Sequence, residues 1–63
     1  MTTATTIRDL RLKRGLTQAG LGALVGWNKS QVCRLEGGKV EPKLESLRKL
    51  ASALRVRPER LMR

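Results

Sequence analysis

A chain of 63 residues with fourteen Lys and Arg against five acids carries a formal charge of +9; it has room for one small domain and attracts polyanions. It has no histidine and one cysteine, Cys33, which excludes a zinc centre, an internal disulfide and histidine-based catalysis; no metal, no other cofactor and no enzyme activity are expected. No apolar run approaches the roughly 20 residues that cross a bilayer, and the N-terminus lacks a signal-peptide layout, so a cytoplasmic chain with no membrane partner is expected.

Phe and Tyr are absent, Trp27 is the sole aromatic, and the apolar residues are overwhelmingly aliphatic, which favours a helical bundle over a sheet. Residues 1–5 are small and polar and read as a flexible tail, leaving residues 6–63 as the domain. Thr6 is expected to cap a first helix over Ile7 to Arg14, with Ile7, Leu10 and Arg14 on one face and Gly15 closing it. Thr17 caps a second helix whose apolar residues Leu21, Leu24 and Val25 fall at helical spacing before Gly26. Gly20 and Gly22 inside it each cost about 1 kcal/mol relative to Ala, so that helix must be held by packing. Asn28 caps a third helix, Lys29 to Glu36, which buries Val32 and Leu35 and ends at Gly37 and Gly38. After a loop containing Pro42, the residues Leu44, Leu47, Leu50, Ala51 and Leu54 mark a fourth helix. Pro58 opens a short fifth. The expectation is all-α, five short helices in one bundle.

A helix-turn-helix needs a small residue where its two helices cross, a turn glycine at positive φ, and apolar residues pinning both helices to the core. Gly22, Gly26 and the set Leu21, Val25, Val32 and Leu35 fit those roles in order. LTQ at residues 16–18, LVG at 24–26, NKSQVCRLEGGK at 28–39 and LRKLASAL at 47–54 resemble the phage repressor and Cro-type (Xre-like) DNA-binding family. The likeness spans about residues 6 to 62 and implies a lambda-repressor-like bundle.

The resemblance implies a role for each matching position. Lys29, Ser30 and Arg34 lie where the family reaches base edges in the major groove. Helical spacing agrees, because Val32 and Leu35 face inward and these residues do not. Lys29 and Arg34 both suit guanine O6 and N7. Gln31 stands where either a base or the backbone is in reach. Gln18 lies where the family contacts a phosphate and braces the start of the recognition helix, and Lys39 and Lys43 flank the loop that grips the backbone. Arg11 and Glu36 occupy the positions of a partly buried ion pair that fixes the third helix's angle. Trp27 stands where the family has a smaller apolar residue; its ring is expected over the core and its indole N–H is a further phosphate donor. Lys43, where a Ser or Asp cap is usual, and Gly20 and Gly22 are further departures, and they bear on stability more than on fold.

The function implied is that of a sequence-specific double-stranded DNA-binding regulator, a repressor or autoregulator, on an inverted-repeat operator. Two copies would set two recognition helices about 34 Å apart. The expected dimer surface is Arg55, Val56, Arg57, Pro58, Leu61 and Met62, and its positive charge predicts a weak homodimer that forms on DNA. Two other readings stand beside it: a helix-turn-helix module used mainly for protein–protein interaction, and nonspecific nucleic-acid binding driven by charge alone.

Overall fold

The computed structural model describes residues 2–62; Met1 and Arg63, at the outer ends of the expected tail and domain, lie outside the described residues. Four α-helices, α1 (Thr3–Lys13), α2 (Gln18–Val25), α3 (Lys29–Glu36) and α4 (Leu44–Leu54), are followed by one 3₁₀ turn at Pro58–Arg60. No strand occurs among the described residues. The expected fifth helix is thus a single turn: Pro58 opens it, but only three residues follow the helical path.

The first helix starts at Thr3, four residues earlier than Ile7, so Thr3 to Thr5 are helix and not tail. Thr2 is its N-cap, its Oγ1 accepting from the Thr5 N–H at 3.2 Å. The Thr3 hydroxyl donates to the Leu61 carbonyl at 2.8 Å and ties the start of the chain to its end. A threonine run is a poor helix former in isolation; a bond spanning 58 positions leaves no local trace in the sequence. The inward face of α1 also differs from the expectation. Ile7, Leu10 and Arg11 are buried, and Arg14 is exposed.

α2 begins under the expected cap, with Thr17 Oγ1 accepting from Gly20 N–H at 2.9 Å. Leu21, Gly22 and Val25 face inward, while Leu24 is 59% exposed. The glycine takes the inward place because α3 crosses there: a Cβ on Gly22 would lie 2.5 Å from the Trp27 carbonyl oxygen and 3.3 Å from Val32 Cγ2. Gly26, at φ 77°, ends α2 in the left-handed region, and Trp27 N–H then bonds back to the Gly22 carbonyl at 2.8 Å. This is the turn of the helix-turn-helix.

α3 opens on a capping box. Asn28 Oδ1 accepts from Gln31 N–H at 2.9 Å, and Gln31 Oε1 accepts from Asn28 N–H at 2.8 Å. α4 has no such cap, since Lys43 makes no side-chain bond to its first turn. It ends at Arg55, which at φ 57° is the one non-glycine residue at positive φ among the described residues. The Val56 N–H reaches the Ala51 carbonyl at 3.0 Å, the same closure that glycines perform elsewhere in the chain.

α2 packs on α3 and α4, and α1 lies against both of these. The core between them is Ile7, Leu10, Leu21, Val25, Val32, Leu35, Leu50, Ala51, Leu54 and Leu61, with Leu16, Trp27, Leu47, Ala53 and Val56 packed around it. No helix of the described residues is long and apolar enough to cross a membrane.

Candidate nucleic-acid interface

Burial of Val32 and Leu35 turns the other side of α3 to solvent. Lys29, Ser30, Gln31, Cys33 and Arg34 are all exposed. By the 100° step of a helix, Ser30 stands opposite the buried edge, with Cys33 on one flank and Arg34 on the other. The side chains of Lys29, Ser30 and Arg34 have no hydrogen-bond or ion-pair partner among the described residues. Three polar side chains, two of them cationic, thus project from one short helix with nothing in the fold to satisfy them.

Gln31 is different, because its carbonyl oxygen is taken by the capping box. A backbone N–H demands an acceptor, so the amide nitrogen is the atom left outward. Gln31 can then donate to a phosphate, to guanine O6 or N7, or to thymine O4. It cannot make the two-bond adenine pairing, which needs the carbonyl oxygen as well.

A shallow groove runs along each side of α3. One is lined by Trp27, Gln31, Arg34, Lys43 and Ser46 together with Val40 to Pro42 of the loop. Trp27 is half-buried against the core. Its indole nitrogen has no partner, and among the described residues no buried side-chain nitrogen or oxygen lacks one, so the N–H is open to solvent. The acid Glu41 also lines this groove, which no sequence signal foretold. Lys39 is exposed just after α3 but does not line it.

The groove on the other side is lined by Arg8, Arg11, Gln18, Cys33, Glu36 and Gly37. Here the structure holds its one ion pair among the described residues. Arg11 Nε donates to Glu36 Oε2 at 2.6 Å, Arg11 Nη2 to Glu36 Oε1 at 3.0 Å, and Arg11 Nη1 to the Leu16 carbonyl at 2.8 Å. The side chains are 9% and 4% exposed. The hydrogen bond that Arg11 donates to Glu36, together with the carboxylate's charge and against the opposing cost of burial, raises the Arg11 pKa above its ordinary value.

Gln18 joins this network, its Nε2 donating to Glu36 Oε1 at 3.1 Å. It therefore braces the end of α3, not the start as expected. The start is held by its own capping box, and Gln18 keeps one amide N–H for an outside acceptor. Sequence reasoning did not single out Arg8. Its place one turn before Arg11 on the same side of α1 was the available signal.

The expected dimer residues divide. Arg55, Arg57 and Met62 are exposed, and Val56 and Pro58 are half-buried. Leu61 is fully buried in the core. It cannot serve a partner surface, because the 3₁₀ turn folds it inward under α4.

The chain matches the helix-turn-helix domain family over residues 4–63. Among solved structures, it is similar to the restriction-modification controller protein C.AhdI from Aeromonas hydrophila, at 36% identity over 94% of this chain and 86% of that one, with a TM-score of 0.88. The P22 c2 repressor in complex with synthetic operator 9T is 33% identical over 97% of this chain and 92% of that one, with a TM-score of 0.90. The solution structure of the P22 c2 repressor DNA-binding domain is 32% identical over 98% and 82%, with a TM-score of 0.94. A search of curated proteins returned no match. From the family match and from identities that extend over nearly all of its length, the chain belongs to the helix-turn-helix domain family, of the phage-repressor and Cro type.

Proposed function

We propose that this protein is a sequence-specific double-stranded DNA-binding transcriptional regulator of the repressor or autoregulator kind. It lays α3 in the major groove and binds an inverted-repeat operator as a two-fold dimer that assembles on the DNA. The observation that carries this reading is the outward face of α3, where Lys29, Ser30 and Arg34 have no partner within the fold. Similarity to a P22 c2 repressor solved with a synthetic operator supports the same use of the helix.

In this reading Lys29 and Arg34 donate to guanine edges, Ser30 touches a base at the crest of α3, and Gln31 donates through its amide nitrogen. Gln18, Lys39, Lys43 and the Trp27 indole hold the backbone on either side. Arg11 and Glu36 fix the angle at which α3 meets the duplex. The protein works in the cytoplasm, at the nucleoid of a bacterial cell or phage-infected host.

Arg34→Ala tests the assignment of base contacts. On the duplex the wild-type protein prefers, it should weaken binding by about 1–3 kcal/mol and abolish the preference at one position of each half-site. Equal weakening on every sequence, with all preferences intact, would demote Arg34 to a phosphate contact.

A further inference from the structure

An α-helix seated in a major groove has a phosphate backbone on each side, the groove being about 12 Å wide. α3 has a concave strip on each side to match. On the side of Trp27, Lys43 supplies a free cation. On the side of Cys33 the cations are Arg8 and Arg11.

Arg11 is committed to the fold: its charge is paired with Glu36, three of its five N–H groups go to Glu36 and the Leu16 carbonyl, and the residue is buried. Glu36, the one acid lining this groove, accepts from Arg11 twice and from Gln18 once. Its charge is thereby compensated inside the fold. Arg8 is exposed, has no partner among the described residues, and shares the groove with the Gln18 amide.

Resting on the proposed function, we infer that the groove between α1 and α3 is a seat for a DNA backbone phosphodiester, with Arg8 as its charged residue. Arg8 donates to the phosphate oxygens from one side and the remaining N–H of Gln18 from the other. α1 then takes part in DNA binding directly and is not only a support for the helix-turn-helix. The contact fixes register without reading sequence.

The test compares two substitutions of equal charge. Arg8→Gln and Arg14→Gln each remove one cation from the α1 region, but Arg14 lies in a different hollow, beside Leu24 and Lys49. Each variant is titrated with the duplex the wild-type protein prefers, between about 50 and 300 mM salt. Arg8→Gln should lose affinity about tenfold on preferred and unrelated duplexes alike, and its dependence of log affinity on log salt should be shallower by about 0.9. Arg8→Lys should restore the slope, and Arg14→Gln should stay within about twofold of the wild type. Matching losses for Arg8→Gln and Arg14→Gln, or no loss for either, would overturn the assignment. Failure of the underlying reading looks different, because the wild-type protein itself then prefers no duplex, and the Arg8 seat falls with it.

Discussion

Lys43 stands at a conflict between stability and binding. As the N-cap of α4 it leaves the first-turn N–H groups without a side-chain acceptor, whereas Ser would supply one. Lys43→Ser should therefore raise stability by about 1 kcal/mol in urea unfolding. In DNA titration the same change should weaken binding and flatten the salt dependence by about 0.9, because one phosphate contact is lost. Opposite signs in the two assays are the expected outcome; a stabilised variant with unchanged DNA affinity would remove Lys43 from the interface. Gly22 presents the reverse case. Ala is worth about 1 kcal/mol more than Gly within a helix, yet its Cβ would sit 2.5 Å from the Trp27 carbonyl oxygen. The backbone at the turn must move to admit it. Gly22→Ala should destabilise the protein by about 1–3 kcal/mol, read from the urea midpoint.

Between elements, the Arg11–Glu36–Gln18 network joins α1, the start of α2 and the end of α3. Removing one charge strands the other in a largely buried place. Glu36→Gln should cost about 3 kcal/mol. A core of this size supplies on the order of 3–5 kcal/mol, so the variant should retain only about 0–2 kcal/mol, read as a urea midpoint shifted strongly downward by circular dichroism at 25 °C. The double change Arg11→Met with Glu36→Leu removes both charges and should recover most of the loss. It should still bind DNA more weakly than the wild type, since Gln18 and the end of α3 lose their common anchor. Much of this architecture was legible from sequence because its signals are local. Thr17, Asn28 and Gly26 act on the backbone within a few residues of themselves, and the helices they bound appear where expected. The start of α1 was missed because the Thr3 to Leu61 bond joins the two ends of the chain. Leu24 was misplaced because spacing favours it and Gly22 alike, and only the close crossing of α3 puts the glycine inside. At the site, the exposed face of α3 followed from Val32 and Leu35. The turn of Gln18 toward Glu36 and the opening of a groove beside Arg8 depend on how α2 and α1 lie against α3, which no local pattern records.

The described molecule measures 23 × 23 × 20 Å. Successive major grooves on one side of a duplex are about 34 Å apart, so one copy reaches one groove and a bipartite site requires two. The segment proposed to join them is poor in apolar surface. Leu61 is buried, Arg55 and Arg57 repel their counterparts, and Val56 and Pro58 are half covered by their own fold. A stable dimer buries about 1,200 Å² or more, and the like charges of Arg55 and Arg57 oppose that burial until DNA neutralises them. Sedimentation at low micromolar concentration should find a monomer, and a tight dimer there would contradict assembly on DNA. In the proposed function α3 reads sequence, in pairs. The most direct measurement is selection of bound duplexes from a random pool at about 150 mM salt, where purely electrostatic binding is suppressed. Enrichment of an inverted repeat with half-sites about one helical turn apart and guanine in each half-site is expected. A pool that remains random while still binding would mean that charge alone holds the DNA, and would contradict the proposed function.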